Sequence, residues 1–387
     1  MPTLETIPTD LKYLILIQLE ELRTLKALCK AVPGYSEILY HHPSIKSTIC
    51  RSDVRKYEME ASWIDSYIDT PTPVKKHDLE IALNKYAIGY KGISKPAYIT
   101  AGQNTRDIEA RVSNRHRHVY DFYEAFVACW FRGHPGLPPP SASEESRIVK
   151  AIYQTWIAII LAEKPNDGFT ASLHTTALFE CLDFWDNVAV WGVLQYLYRK
   201  IYKRVMANMQ AMNHAGVLKC FNSRSVPESD ISILCLVYGF PEGIIDWIQD
   251  DALDAIQVTS RVTEVLSRFP NKTNPGAWMR ENLSNMFQIT YKSNRVVDNT
   301  RPEPPLELDP QPGTGSSRPR YSYPEVLKRD RYLLVTYHLG VETDLLAYVW
   351  DERRIEMLQL HAPDLVKVDG MVWSVPMDYD YHSPRRL

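Results

Sequence analysis

A helix built on IPTDLKYLILIQL, residues 7–19, has almost no polar side to turn toward water. At about 100° per residue, Leu11, Leu14, Ile15, Leu19 and Leu22 form one stripe, while Tyr13, Leu16 and Ile17 fall opposite. Pro8 suits the first helical position, where a missing N–H costs nothing, and Asp10 suits the positive end of the helix dipole. A helix that is apolar nearly all round has to be covered on two sides. The next short helix, RTLKALCKA, ends at Val32, Pro33 and Gly34 and offers Leu25, Leu28 and Cys29 to one of those sides. The stretch is shorter than the roughly 20 apolar residues of a membrane span, and Lys12, Gln18 and Glu20 interrupt it. Glu5 and Asp10 stand where a secretory leader would be basic, so neither an anchor nor a signal peptide is expected.

Periodic apolar segments continue along the chain, and glycine is scarce at 16 of 387 residues, so the fold class expected is all-α, predominantly helical. In SASEESRIVKAIYQTWIAIILAEKP, Ser141 and Glu144 form a capping-box pattern. Ile148, Ile152, Trp156 and Ile159 follow it on one face, and Lys164 and Pro165 end the segment. The stretch from Ser172 to Gly216 reads as two helices meeting near Asp183 to Asn187, closed by His214 and Gly216. SDISILCLVYGFPEGIIDWIQDDALDAIQ reads as one helix stopped at Gly239 and another started by Pro241. NPGAWMRENLSNMFQITYK gives a further helix.

Composition breaks set the domain limits. A module spans 1–50, a linker 51–80 that includes DTPTPVKKHD at 69–78, a helical body 81–300, a proline-rich linker 301–325 with six prolines in its first twenty residues, and a C-terminal lobe 326–387. The last lobe reads equally as helices or as a small α+β tail, and no internal repeat is present. At about 150 residues per domain the length suggests about two domains. The net charge of −3 gives no field for nucleic acid or an acidic membrane. The cysteines Cys29, Cys50, Cys129, Cys181, Cys220 and Cys235 are scattered without a CxxC, which fits reduced thiols in the cytoplasm or nucleus. The sequons at Asn271 and Asn282 are then expected to be chance.

Signals for chemistry are few. DDALD, with Asp250, Asp251 and Asp254, has the spacing of the magnesium-diphosphate motif in helical isoprenoid synthases. The second metal motif of that family is missing, and on a helix the aspartates lie opposite Ile244, Ile248, Ala252 and Ile256. The segment therefore reads as a solvated acidic face, with a magnesium-dependent isoprenoid-diphosphate lyase as the alternative. Cys29, His41, His42 and Cys50 match no common zinc spacing, and His174 has no G-x-S-x-G partner. Asp183 to Asn187 reads as an interhelical turn capped by Asp or Asn. The basic run Arg111 to His118 reads as a solvated helix face. No phosphate-cradling glycine loop is present, and no catalytic residue, metal or cofactor is assigned.

The pattern Ile7-Pro8-x-Asp10-Leu11, then Ile15-Leu16 and Leu19, then Leu22, Leu25 and Leu28, resembles the F-box, chiefly the degenerate forms of fungal proteins. The resemblance covers about 45 residues. It differs from the family in Ile7 for Leu, Asp10 for Glu, and Val32-Pro33-Gly34-Tyr35 where a Ser-basic-x-aromatic element is usual. It implies a three-helix module docking on the Skp-type linker protein of a cullin-RING (SCF-type) ubiquitin ligase. The partner-binding residues it implies are Ile7, Pro8, Leu11, Ile15, Leu16, Leu19, Leu25, Leu28 and Tyr35. The chain would then be a non-enzymatic adaptor whose body recruits an unknown protein substrate, with no nucleic acid and no membrane as partner. A stand-alone helical interaction scaffold is the other reading. A module of about fifty residues cannot enclose both sides of its first helix, and the face left over predicts a partner.

Overall fold

The structure is a computed structural model that describes residues 4–68, 76–90, 105–132, 136–163, 177–179, 181–182, 184–214, 228–249, 253–267 and 354. Among these the chain is all-α, with no strand. Its helices are α1 Thr9–Ile17, α2 Leu22–Ala31, α3 Gly34–His41, α4 Pro43–Asp53, α5 Glu58–Tyr67, α6 Lys76–Tyr90, α7 Thr105–Arg132, α8 Ala142–Glu163, α9 Phe184–His214, α10 Glu228–Gly239, α11 Ile245–Ile248 and α12 Ala255–Ser267. Short 3₁₀ turns precede α5 and α11. No described helix is long and apolar enough to cross a membrane.

Helix α8 is the centre. Between Lys150 and Glu163 it carries no charged side chain, and every residue from Ala151 to Leu161 is buried. Helices α5, α7 and α9 pack around it, and α9 in turn carries α10 and α12. The expected single apolar face on Ile148, Ile152, Trp156 and Ile159 is thus one part of a helix enclosed on all sides. Its start follows the expected capping box: the Ser141 N–H donates to Glu144 Oε2 at 2.7 Å, and the Glu144 N–H donates to Ser141 Oγ at 3.1 Å.

Residues 51–68 depart from the linker expectation. They complete α4, make a 3₁₀ turn over Val54–Tyr57 and form α5, with Val54, Tyr57, Ala61, Trp63 and Ile64 buried. The physical reason is the spacing of Val54, Tyr57, Ala61 and Ile64, a helical stripe that meets α7 and α8. Residues 69–75 lie outside the described part, and the expected linker resumes only as the first turn of α6, at Lys76, His77 and Asp78. The N-terminal region also has four helices rather than three, because α4 follows α3 at once.

The two-helix reading around Asp183 holds in position. Helix α9 begins at Phe184, and the Asn187 amide donates to the Phe179 carbonyl at 2.9 Å, tying the preceding helical turn to it. Helix α10 stops at Gly239, where a Cβ would lie 2.9 Å from Ile244 Cδ1, so a side chain there would force the buried Ile244 side chain to shift. The continuous helix expected through DDALD breaks instead: Gln249 is extended and α12 starts after Asp254. Asp254 Oδ1 accepts from the Gln257 N–H at 2.8 Å, and Gln257 Oε1 accepts from the Asp254 N–H at 2.9 Å. This local cap outcompetes helix continuation. Asp250 and Asp251 lie outside the described residues, as do His174, Cys220, Asn271, Asn282, the helix expected at 274–292, the proline-rich segment and, apart from Arg354, the C-terminal lobe.

Trp63 is fully enclosed, and replacing it with Ala removes a large side chain from a site between α5 and its neighbours. Trp63→Ala is expected to lower the unfolding free energy by about 3–5 kcal/mol in a urea titration. A change near zero would restore residues 51–68 to linker status.

Candidate partner-binding face

Helix α1 is sealed on one side only. Leu16 is buried, Ile15 and Leu19 are half-buried, and α3 and α4 lie against this side. The other side is open: Leu11 and Leu14 are each 51% exposed, Ile17 is 40% exposed, and Leu4 just before the helix is 46% exposed. Tyr13 stands beside them, its ring edge-on to His42 with centroids 5.1 Å apart, so the open side runs on to the end of α3. There Tyr40 is 83% exposed. Single exposed apolar residues are ordinary, whereas several along one helix mark a candidate contact surface.

The two stripes read from the sequence are therefore divided differently in the folded chain. Leu11 and Leu14 leave the first stripe and Tyr13 and Ile17 leave the second to make one outward face. Of the residues expected to meet a partner, Pro8 and Leu11 are exposed, and Ile7, Ile15, Leu19 and Leu28 are half-buried. Leu16, Leu25 and Tyr35 are buried and belong to the core instead, because they are what fastens α1, α2 and α3 together. Leu4, Leu14, Ile17 and Tyr40 are additions; the signal for Leu14 and Ile17 was the oily character of both sides of α1. Pro8 sits one position earlier than expected, ahead of Thr9–Ile17, with its carbonyl accepting from the N–H groups of Leu11 at 3.1 Å and Lys12 at 3.0 Å. Lys12 donates to the Glu5 carbonyl at 2.9 Å, which folds the leading arm onto the helix.

Behind this face the N-terminal helices are fastened to the body by a polar seam. His116 of α7 is fully buried, with Nε2 3.1 Å from Asp53 Oδ2 of α4 and Nδ1 2.8 Å from Tyr153 Oη of α8. Burial raises the Tyr153 phenol well above its ordinary range, so it stays protonated; the tautomer with its hydrogen on Nε2 lets His116 donate to Asp53 and accept from the Tyr153 hydroxyl. Burial also works to raise the Asp53 carboxyl, but the hydrogen bond from His116 and the Lys56 ammonium 3.2 Å away outweigh it and hold the group below its ordinary value. Arg111 and Arg115 bind Asp65 of α5 at 2.9 Å, and His118 pairs with Glu242. The basic run on α7 is consequently divided: His116 is an internal clamp, Arg115 and His118 are half-buried in ion pairs, and Arg111, Asn114 and Arg117 stay on an exposed face.

Beside the seam lies a cleft of about 40 Å³ bordered by Glu21, Arg23, Asp53, Lys56 and Glu145. That is room for about one water molecule, too little for an organic substrate. Burial raises the Glu145 carboxyl, against the opposing hydrogen bond from Tyr120 Oη at 2.9 Å. Cys29, Cys50, Cys129 and Cys235 are thiols outside any disulfide, and burial pushes the Cys50 thiol up to about 11. Among the described residues, no group of three or more His, Cys, Asp or Glu side chains could hold a metal ion. Comparison with known proteins returned no matching family model, no matching curated protein and no matching solved structure.

Because the folded Asp53 carboxyl ionises below its ordinary value near 3.8, its contribution to stability is present above that pH and is lost as pH falls through the folded value. Asp53→Asn is expected to cost about 1–3 kcal/mol at pH 7, with a smaller penalty near pH 3. Denaturant titrations of both chains at the two pH values check the sign.

Proposed function

We propose that this chain is a substrate-recruiting adaptor of an SCF-type cullin-RING ubiquitin ligase, similar to fungal-type F-box proteins, and performs no bond chemistry itself. The observation that carries the reading is the outward side of α1, where Leu11, Leu14 and Ile17 stand open on a helix whose other side is fixed in the core. The F-box resemblance of residues 7–28 supplies the occupant: the Skp-type linker protein. A specific interface buries roughly 1,200–2,000 Å², more than one short helix presents, so the surface would extend through Tyr13 and His42 toward Tyr40. The helical body, held to this module by the His116 seam, would present the unknown protein target at a fixed distance from the ligase.

Leu11 and Leu14 are half in water, so charging them should change stability by no more than about 0.5 kcal/mol. With purified linker protein and the full chain, Leu11→Asp and Leu14→Asp are expected to weaken binding at least hundredfold while the melting temperature stays within a few degrees. Failure of the unmodified chain to bind would remove the adaptor reading and leave a helical scaffold.

A further inference from the structure

Arg354 is far from α8 in sequence, yet its side chain ends in the first turn of that helix. Nε donates to Glu144 Oε1 at 2.7 Å and Nη2 to Glu144 Oε2 at 2.7 Å, a two-pronged grip on one carboxylate. Nη1 donates to the Pro138 carbonyl at 2.8 Å and Nη2 also to the Pro139 carbonyl at 2.9 Å. The guanidinium carbon lies 5.0 Å from the centroid of the Phe131 ring. Both charged side chains are buried, at 4% and 1% exposed.

The acceptors are arranged by elements other than residue 354. Successive prolines have fixed φ and no N–H, so the segment before α8 offers carbonyls alone. Glu144 is held by the capping box through the Ser141 N–H. Phe131 comes from the last turn of α7. Carboxylate edge, two carbonyls and an aromatic face together match the planar fork of a guanidinium, which a lysine ammonium cannot span.

We infer that Glu144, Pro138, Pro139 and Phe131 form a binding pocket for an arginine side chain, which Arg354 fills within the chain and which an arginine on another polypeptide fills when Arg354 is absent. The pocket stands on its own geometry, and loss of linker-protein docking would leave it unaffected.

The test uses the full chain carrying Arg354→Ala, followed by melting temperature and titration with N-acetyl-arginine amide or N-acetyl-lysine amide. Removing one partner of a buried ion pair exposes the other to an uncompensated environment, so melting should fall. The arginine probe should raise it again in proportion to occupancy and bind at least tenfold tighter than the lysine probe. The unmodified chain should not respond, and adding Glu144→Gln should abolish the response. Equal response to both probes, no response of the folded variant, or a response that survives Glu144→Gln overturns the proposal. If Arg354→Ala does not fold, Arg354→Lys is titrated in its place and the same outcomes decide.

Discussion

A helix without a charged side chain from Ala151 to Ala162 has nowhere to meet water, and the rest of the chain is arranged by that requirement. Helices α5, α7 and α9 are the walls α8 needs, and α10 and α12 cover α9. Two polar side chains of α8 share one partner: Gln154 Nε2 donates to Asp186 at 3.3 Å, and Lys150 reaches the same carboxylate at 2.6 Å. Burial raises the Glu60 carboxyl, and the Tyr86 hydroxyl donates to it at 3.3 Å. Enclosure of α8 thus draws in α5, α6 and α9 through charge as well as packing.

The N-terminal helices share one apolar core with this body and add a second kind of contact. It is the chain of hydrogen bonds from Asp53 through His116 to Tyr153, with the arginines of α7 on Asp65 beside it. Directional bonds of this sort fix orientation where apolar packing alone would allow sliding. The result is a module whose inner side is anchored firmly while α1 keeps an oily outer side, which is what a docking element on a rigid body requires.

Features written over a few residues were legible in the sequence. The Ser141–Glu144 box, the stop at Gly239, the turn at Asn187 and the all-α character depend on spacing within one or two turns. The open side of α1 was legible as a surplus of apolar surface, but its composition was not, since periodicity does not say which side a neighbour covers. Leu16 and Tyr35, expected at an interface, became core for that reason. The 51–68 segment was misread because DTPTPV lies just after it, although Val54, Tyr57, Ala61 and Ile64 carried the helical signal. Neither His116 nor Arg354 announced its role, because their partners stand 63 and 210 residues away.

Three consecutive proline carbonyls before α8 receive two arginines: Pro138 and Pro139 take Arg354, and Pro140 takes Arg23 from α2 at 2.8 Å. One of these arginines leaves the ribosome long before the other. The nascent chain can assemble α2 against the turn before Arg354 exists, so the two-pronged grip on the first turn of the central helix closes only after a further 210 residues have followed Glu144. A product cut short before Arg354 would keep the capping box but lack the guanidinium that ties distant sequence to the start of its central helix.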